Sequence, residues 1–180
     1  MANFVGFDDA QTAILRADVE AARQVAADAA RIPLDTATLL WEAFGIDGVD
    51  PDRNQVERVR SVYEGFAAGM ARATLVFYPG MGNASAAEFD SFPDRTRPNT
   101  ILVRSSYFFK APCDRALTLL HHYVHLRFPQ NLGGGHPGRD APALARGPLR
   151  VAFDDASRNP YCYEYFARFL RLVEPLCYRQ

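Results

Sequence analysis

Long apolar runs are missing from this 180-residue chain. No window approaches the eighteen or so uninterrupted hydrophobic residues that a membrane-crossing helix requires, so a membrane partner is not expected. The opening segment, MANFVGFDDAQTAIL, lacks a basic stretch followed by an apolar one, which argues against a Sec-type signal. Neither sign of charge is in excess. With 20 basic and 21 acidic side chains and a net charge of −1, the chain has no electrostatic reason to seek nucleic acid or anionic lipid. Cysteine is scarce: Cys113, Cys162 and Cys177 are too few and too scattered for a disulfide framework, and reduced thiols are the expectation. These absences point to a cytoplasmic protein, or to one exported by a route that needs no Sec-type signal. No internal repeat or low-complexity tract appears, and the length suits a single domain spanning residues 1–180 with a core of its own.

What is present falls into two textures. The first seventy or so residues read as helices. Residues 9–31 carry Ile14, Val19, Ala22, Val25 and Ala29 near helical spacing, and Pro33 stops the pattern. A shorter helix, LDTATLLWEAFG, ends at Gly45, and a third opens with Asp50 as cap and Pro51 in its first turn. The apolar face of that third helix is Val56, Val59, Tyr63, Phe66 and Met70, which is core patterning rather than a functional motif. Beyond it, ATLVFY at 73–78 and TILVR at 100–104 are short and β-branched or aromatic, predicting two or three strands. A helix then opens near Asp114, and a last one begins at Asn159-Pro160. The pattern predicts an α+β fold, mainly helical, with a small β-sheet.

Histidine is nearly as scarce as cysteine, yet all four histidines fall between residues 121 and 136, in LLHHYVHLRFPQNLGGGH. His121 and His125 stand one helical turn apart on one face, so their ring nitrogens can converge on an ion about 2.0–2.1 Å from each. A helical pair by itself is common, and a third ligand is needed to define a site. His136, Asp140, Asp154 and Asp155 are the candidates, and Gly133, Gly134 and Gly135 allow the chain carrying His136 to turn back over the helix.

The run TILVRSSYFFKAPCDRALTLLHHYVH, followed by a glycine-rich turn and NPYCYEYFA, resembles the aspzincin metallopeptidases, the group of deuterolysin and the lysine-specific metallo-endopeptidases. The resemblance covers most of the chain, with its ungapped parts at residues 100–126 and 159–167. It implies a zincin-like domain whose active-site helix carries HHxxH, a Zn2+ cofactor and a peptide or protein substrate. His121 and His125 match the family's two zinc-binding histidines. His122 stands where the family has the glutamate that acts as general base. The position of the family's third ligand, an aspartate, falls at His136, with Asp140 as the competing ligand. The tyrosine that assists catalysis in that turn has no counterpart, and Arg139 is the residue that could supply positive charge instead. In lysine-specific members an aspartate and a glutamate receive the substrate cation; Tyr161 and Glu164 occupy those places here, so one carboxylate of the two remains.

Three neutral imidazoles leave a bound zinc its full double charge, so the exchange at position 122 removes proton delivery rather than Lewis acidity. A positioned acid-base group commonly contributes about 10² to 10⁴ in rate. The expectation is therefore a zinc endopeptidase-like domain with weak or impaired hydrolysis. The alternative is an inactive pseudopeptidase that serves as a metal-holding or protein-binding module.

Overall fold

A computed structural model describes residues 2–32, 37–78, 91–94, 96–128 and 152–170. The amino-terminal helix, α1 (Asp9–Ala30), starts with a reciprocal cap: the Asp8 carboxylate accepts the Gln11 N–H at 2.7 Å, and the Gln11 side chain accepts the Asp8 N–H at 3.2 Å. Helix α2 (Ala37–Phe44) ends at Gly45, whose φ of +70° is costly for any residue with a Cβ.

The third predicted helix forms as two. Helices α3 (Arg53–Glu64) and α4 (Phe66–Ala71) are separated at Gly65, and the cap is Asp52, whose side chain accepts the Asn54 N–H at 2.8 Å, rather than Asp50. The apolar face survives the break. Val59, Tyr63, Phe66 and Met70 are buried and Val56 packs against them at the margin.

Four short strands form one sheet: β1 (Asn3–Val5), β2 (Thr74–Phe77), β3 (Ser91–Pro93) and β4 (Thr100–Val103), in the order β1-β2-β4-β3. Strands β1, β2 and β4 run parallel, with Leu75 opposite Ile101, and β3 runs antiparallel to β4 with Phe92 opposite Leu102. All four residues of β4 are buried, as a central strand covered on both faces requires. Strand β3 has β4 on one side and no other described strand beyond it, a position that tolerates Pro93.

A 3-10 turn, Ser105–Phe109, leads from β4 into α5 (Pro112–Arg127), and two further helices follow, α6 (Phe153–Ala156) and α7 (Pro160–Phe169). Both long helices start with proline at a first-turn position, and Asn159 caps α7 by accepting the Tyr161 N–H at 3.0 Å. Helix α5 lies at the centre, packed on α7, α1 and α4 and touching β3. Ten of its residues are buried, from Cys113 to His125, and they surround the helix instead of forming one stripe. This packing makes the fold α+β and mainly helical, as expected.

Two contacts fix α5 in place. Arg115 reaches across to Asp18 of α1 at 2.8 Å, and Tyr107 donates its hydroxyl to the same carboxylate at 3.1 Å. Both charged partners are largely removed from water, so deleting either one leaves an uncompensated buried charge, at a cost of about 3–5 kcal/mol. On the other side the Tyr123 ring rests on the backbone of α4, where a Cβ at Gly65 would stand 2.6 Å from the Tyr123 hydroxyl oxygen.

The expectation for the cysteines is corrected. Cys113 is disulfide-bonded, while Cys162 is a buried free thiol. Spacing along the chain does not report which Cβ atoms folding brings within bridging distance. Among the described residues, no helix is long and apolar enough to cross a membrane.

Candidate metal centre

Successive residues of an α-helix are about 100° apart, so His121, His125 and His122 project within an arc of roughly 100° on α5. The outcome is a cluster of three imidazoles rather than a pair. One ring nitrogen from each lies within 4.8 Å of the others, and His121, His122 and His125 are 9%, 7% and 6% exposed. Ring centroids are 5.0 Å apart for His121 and His125, 5.3 Å for His121 and His122, and 6.1 Å for His122 and His125.

Helix α7 supplies the wall opposite. The Tyr161 ring meets His121 edge to face at a centroid distance of 4.7 Å. One turn further along, Glu164 places Oε2 3.3 Å from His121 Nδ1, and Oε1 lies 3.7 Å from Arg168. Burial pushes the Glu164 carboxyl up, but the His121 hydrogen bond and the charges of His121, Arg168 and Lys110 outweigh it, so the group ends below its ordinary range. Glu164 therefore carries negative charge beside the imidazole cluster.

The donor set fits zinc chemically. Neutral imidazole is a preferred zinc ligand, and two nitrogens about 2.0–2.1 Å from a tetrahedral ion stand roughly 3.4 Å apart. The site is buried and lies against a carboxylate that can accept a ligand histidine's second N–H.

The sequence candidates divide accordingly. His121, His122 and His125 come together on α5, and Glu164 and Tyr161 meet His121 from α7. Asp154 and Asp155 do not join them: Asp154 pairs with Arg58 at 2.8 Å and Asp155 with Arg158 at 3.0 Å. His136, Arg139 and Asp140 lie outside the described residues. Two relationships went unseen in the sequence. The i, i+3 spacing of His122 and His125 could have signalled that His122 shares the cluster, whereas the meeting of Glu164 with His121 depends on how α7 docks and leaves no trace in spacing.

No protein-family model and no curated protein matches the chain. Among solved structures it is similar to a zinc peptidase from Grifola frondosa, with a TM-score of 0.67 and 18% identity over 92% of this chain and 98% of that one. At that identity the likeness establishes the fold, which spans nearly the whole of both chains. The chain thus shares its fold with that structure and carries three histidines clustered on its central helix.

Proposed function

We propose that this chain is a zinc-holding domain of the aspzincin type, with peptide-bond hydrolysis weakened by the replacement of the general base. The observation that carries the reading is the convergence of three buried imidazoles on α5, in a fold shared with a zinc peptidase. His121 and His125 hold the ion, and His136 is the third ligand in an aspartate's place, with Asp140 its competitor four residues on. When bound, zinc supplies Lewis-acid chemistry to a carbonyl.

His122 occupies the general-base position. Its ring shares the cluster with the two ligands, so it serves either as a further ligand or as a proton acceptor, and neither role reproduces a carboxylate. A nearby dication also disfavours the imidazolium needed to donate to a leaving amine. Arg139 is the candidate for stabilising developing negative charge.

A peptide substrate suits the surroundings. Strand β3, at the margin of the described sheet and in contact with α5, offers backbone groups for pairing with an extended chain. Lysine preference is weakened, because Tyr161 replaces one acidic residue and Glu164 is already engaged by His121 and Arg168.

The test is His122→Glu, assayed on a denatured protein substrate. The wild-type chain is expected to cleave weakly or not at all, and the variant to gain about 10² to 10⁴ in rate. A variant that still binds zinc without any gain would favour the second reading, a metal-holding module for protein binding. Efficient cleavage by the wild-type chain would overturn the account of position 122.

A further inference from the structure

We infer that Glu164 is a positioning residue for the metal centre, accepting the Nδ1–H of His121 and so presenting the His121 Nε2 lone pair to the ion. The inference rests on the metal-centre reading above and assigns Glu164 to His121 instead of to a substrate cation.

The geometry is an alternating chain across the interface of α5 and α7. On α5, Asp114 and His121 stand two turns apart; on α7, Arg168 and Glu164 stand one turn apart. Asp114 Oδ1 lies 2.9 Å from an Arg168 guanidinium nitrogen, the same nitrogen lies 3.7 Å from Glu164 Oε1, and Glu164 Oε2 lies 3.3 Å from His121 Nδ1. Arg168, hydrogen-bonded to Asp114, thus places its positive charge beside one carboxylate oxygen while the other faces the imidazole. A carboxylate only accepts, so the imidazole nitrogen facing it is the donor. Neutral imidazole has a single N–H, and a proton placed at Nδ1 leaves Nε2 as the lone-pair nitrogen.

Tyr161 completes the arrangement from the same face of α7. It sits one turn before Glu164, and its ring meets the His121 ring edge to face at 4.7 Å. The His121 ring is therefore confined by packing as well as by the hydrogen bond. A ligand held in this way loses less rotamer freedom on binding, and a hydrogen bond to carboxylate raises its basicity.

The experiment has two readouts. Long-range 1H–15N NMR of the metal-free chain, at a pH where the histidines are neutral, reports which ring nitrogen of His121 is protonated. The expected result is Nδ1–H in the wild-type chain and loss of that preference in Glu164→Ala. Zinc titration against a competing chelator should show binding weakened about 10- to 100-fold in Glu164→Ala, with the stoichiometry retained. Glu164→Gln, whose amide oxygen can still accept the N–H, should keep the tautomer and lose less affinity. An Nε2–H tautomer in the wild-type chain, or unchanged zinc affinity in Glu164→Ala, would overturn the inference. The wild-type spectrum decides the matter even if a variant folds poorly. A wild-type chain that takes up no zinc sinks the metal-centre reading, and the His121 tautomer then decides this inference by itself.

Discussion

The Tyr123 ring fills the space that a Cβ would need at Gly69, so the helix carrying the histidines approaches α4 down to its backbone. Gly69 lies within α4, where alanine would ordinarily be preferred by about 1 kcal/mol. Here the contact reverses that preference. Gly69→Ala must displace the ring of Tyr123, next to His122 and two positions before His125, and is expected to lower stability by about 1–3 kcal/mol. Urea denaturation of the variant measures this, and a stabilised variant would show that α5 is not seated against α4 in this way.

Acid stability is expected to divide between two aspartates of opposite character. Hydrogen bonds from Thr96 and the adjacent Arg97 hold Asp94 at about 2, below its ordinary 3.8. A depressed carboxyl contributes stability above its unfolded value, and that contribution is lost as pH falls from about 4 toward 2. Asp18 runs the other way: burial raises it, only partly offset by Arg115 and Tyr107, so the folded state holds its proton more tightly and acidification takes no stability away through it. Asp94→Asn should therefore flatten the acid limb of a stability-against-pH profile, and Asp18→Asn should not. The reverse pattern would contradict both assignments.

The cysteines should differ sharply in chemistry. Cys162 is buried and its thiol is pushed up to about 12, so almost no thiolate exists near neutral pH. Native protein treated with a thiol reagent is expected to react at Cys162 only after unfolding. Reduction of the Cys113 disulfide should lower stability by about 2–4 kcal/mol. Rapid labelling of Cys162 in the folded chain would show that its surroundings open.

Much of this architecture was legible from local pattern. Proline and a capping side chain marked the start of α7, and glycine marked the end of α2, because these residues satisfy or release backbone groups at helix ends. The apolar spacing from Val56 to Met70 marked the buried face correctly but hid the break at Gly65, since the face continues across it. Strands β1 and β3 have three residues each, too few for alternation to show, and exist because β2 and β4 provide partners. At the site, His121 and His125 were readable from helical spacing alone. Glu164 was visible only as a family position, and its place beside His121 follows from the docking of α7 on α5, a tertiary contact across 43 residues.

Metal analysis of the purified chain tests the central claim most directly. The account predicts about one equivalent of zinc per chain after dialysis against trace metal, and its loss in His121→Ala, with the variant still folded by circular dichroism. A folded wild-type chain that retains no zinc, or a His121→Ala variant that retains it in full, would contradict the account.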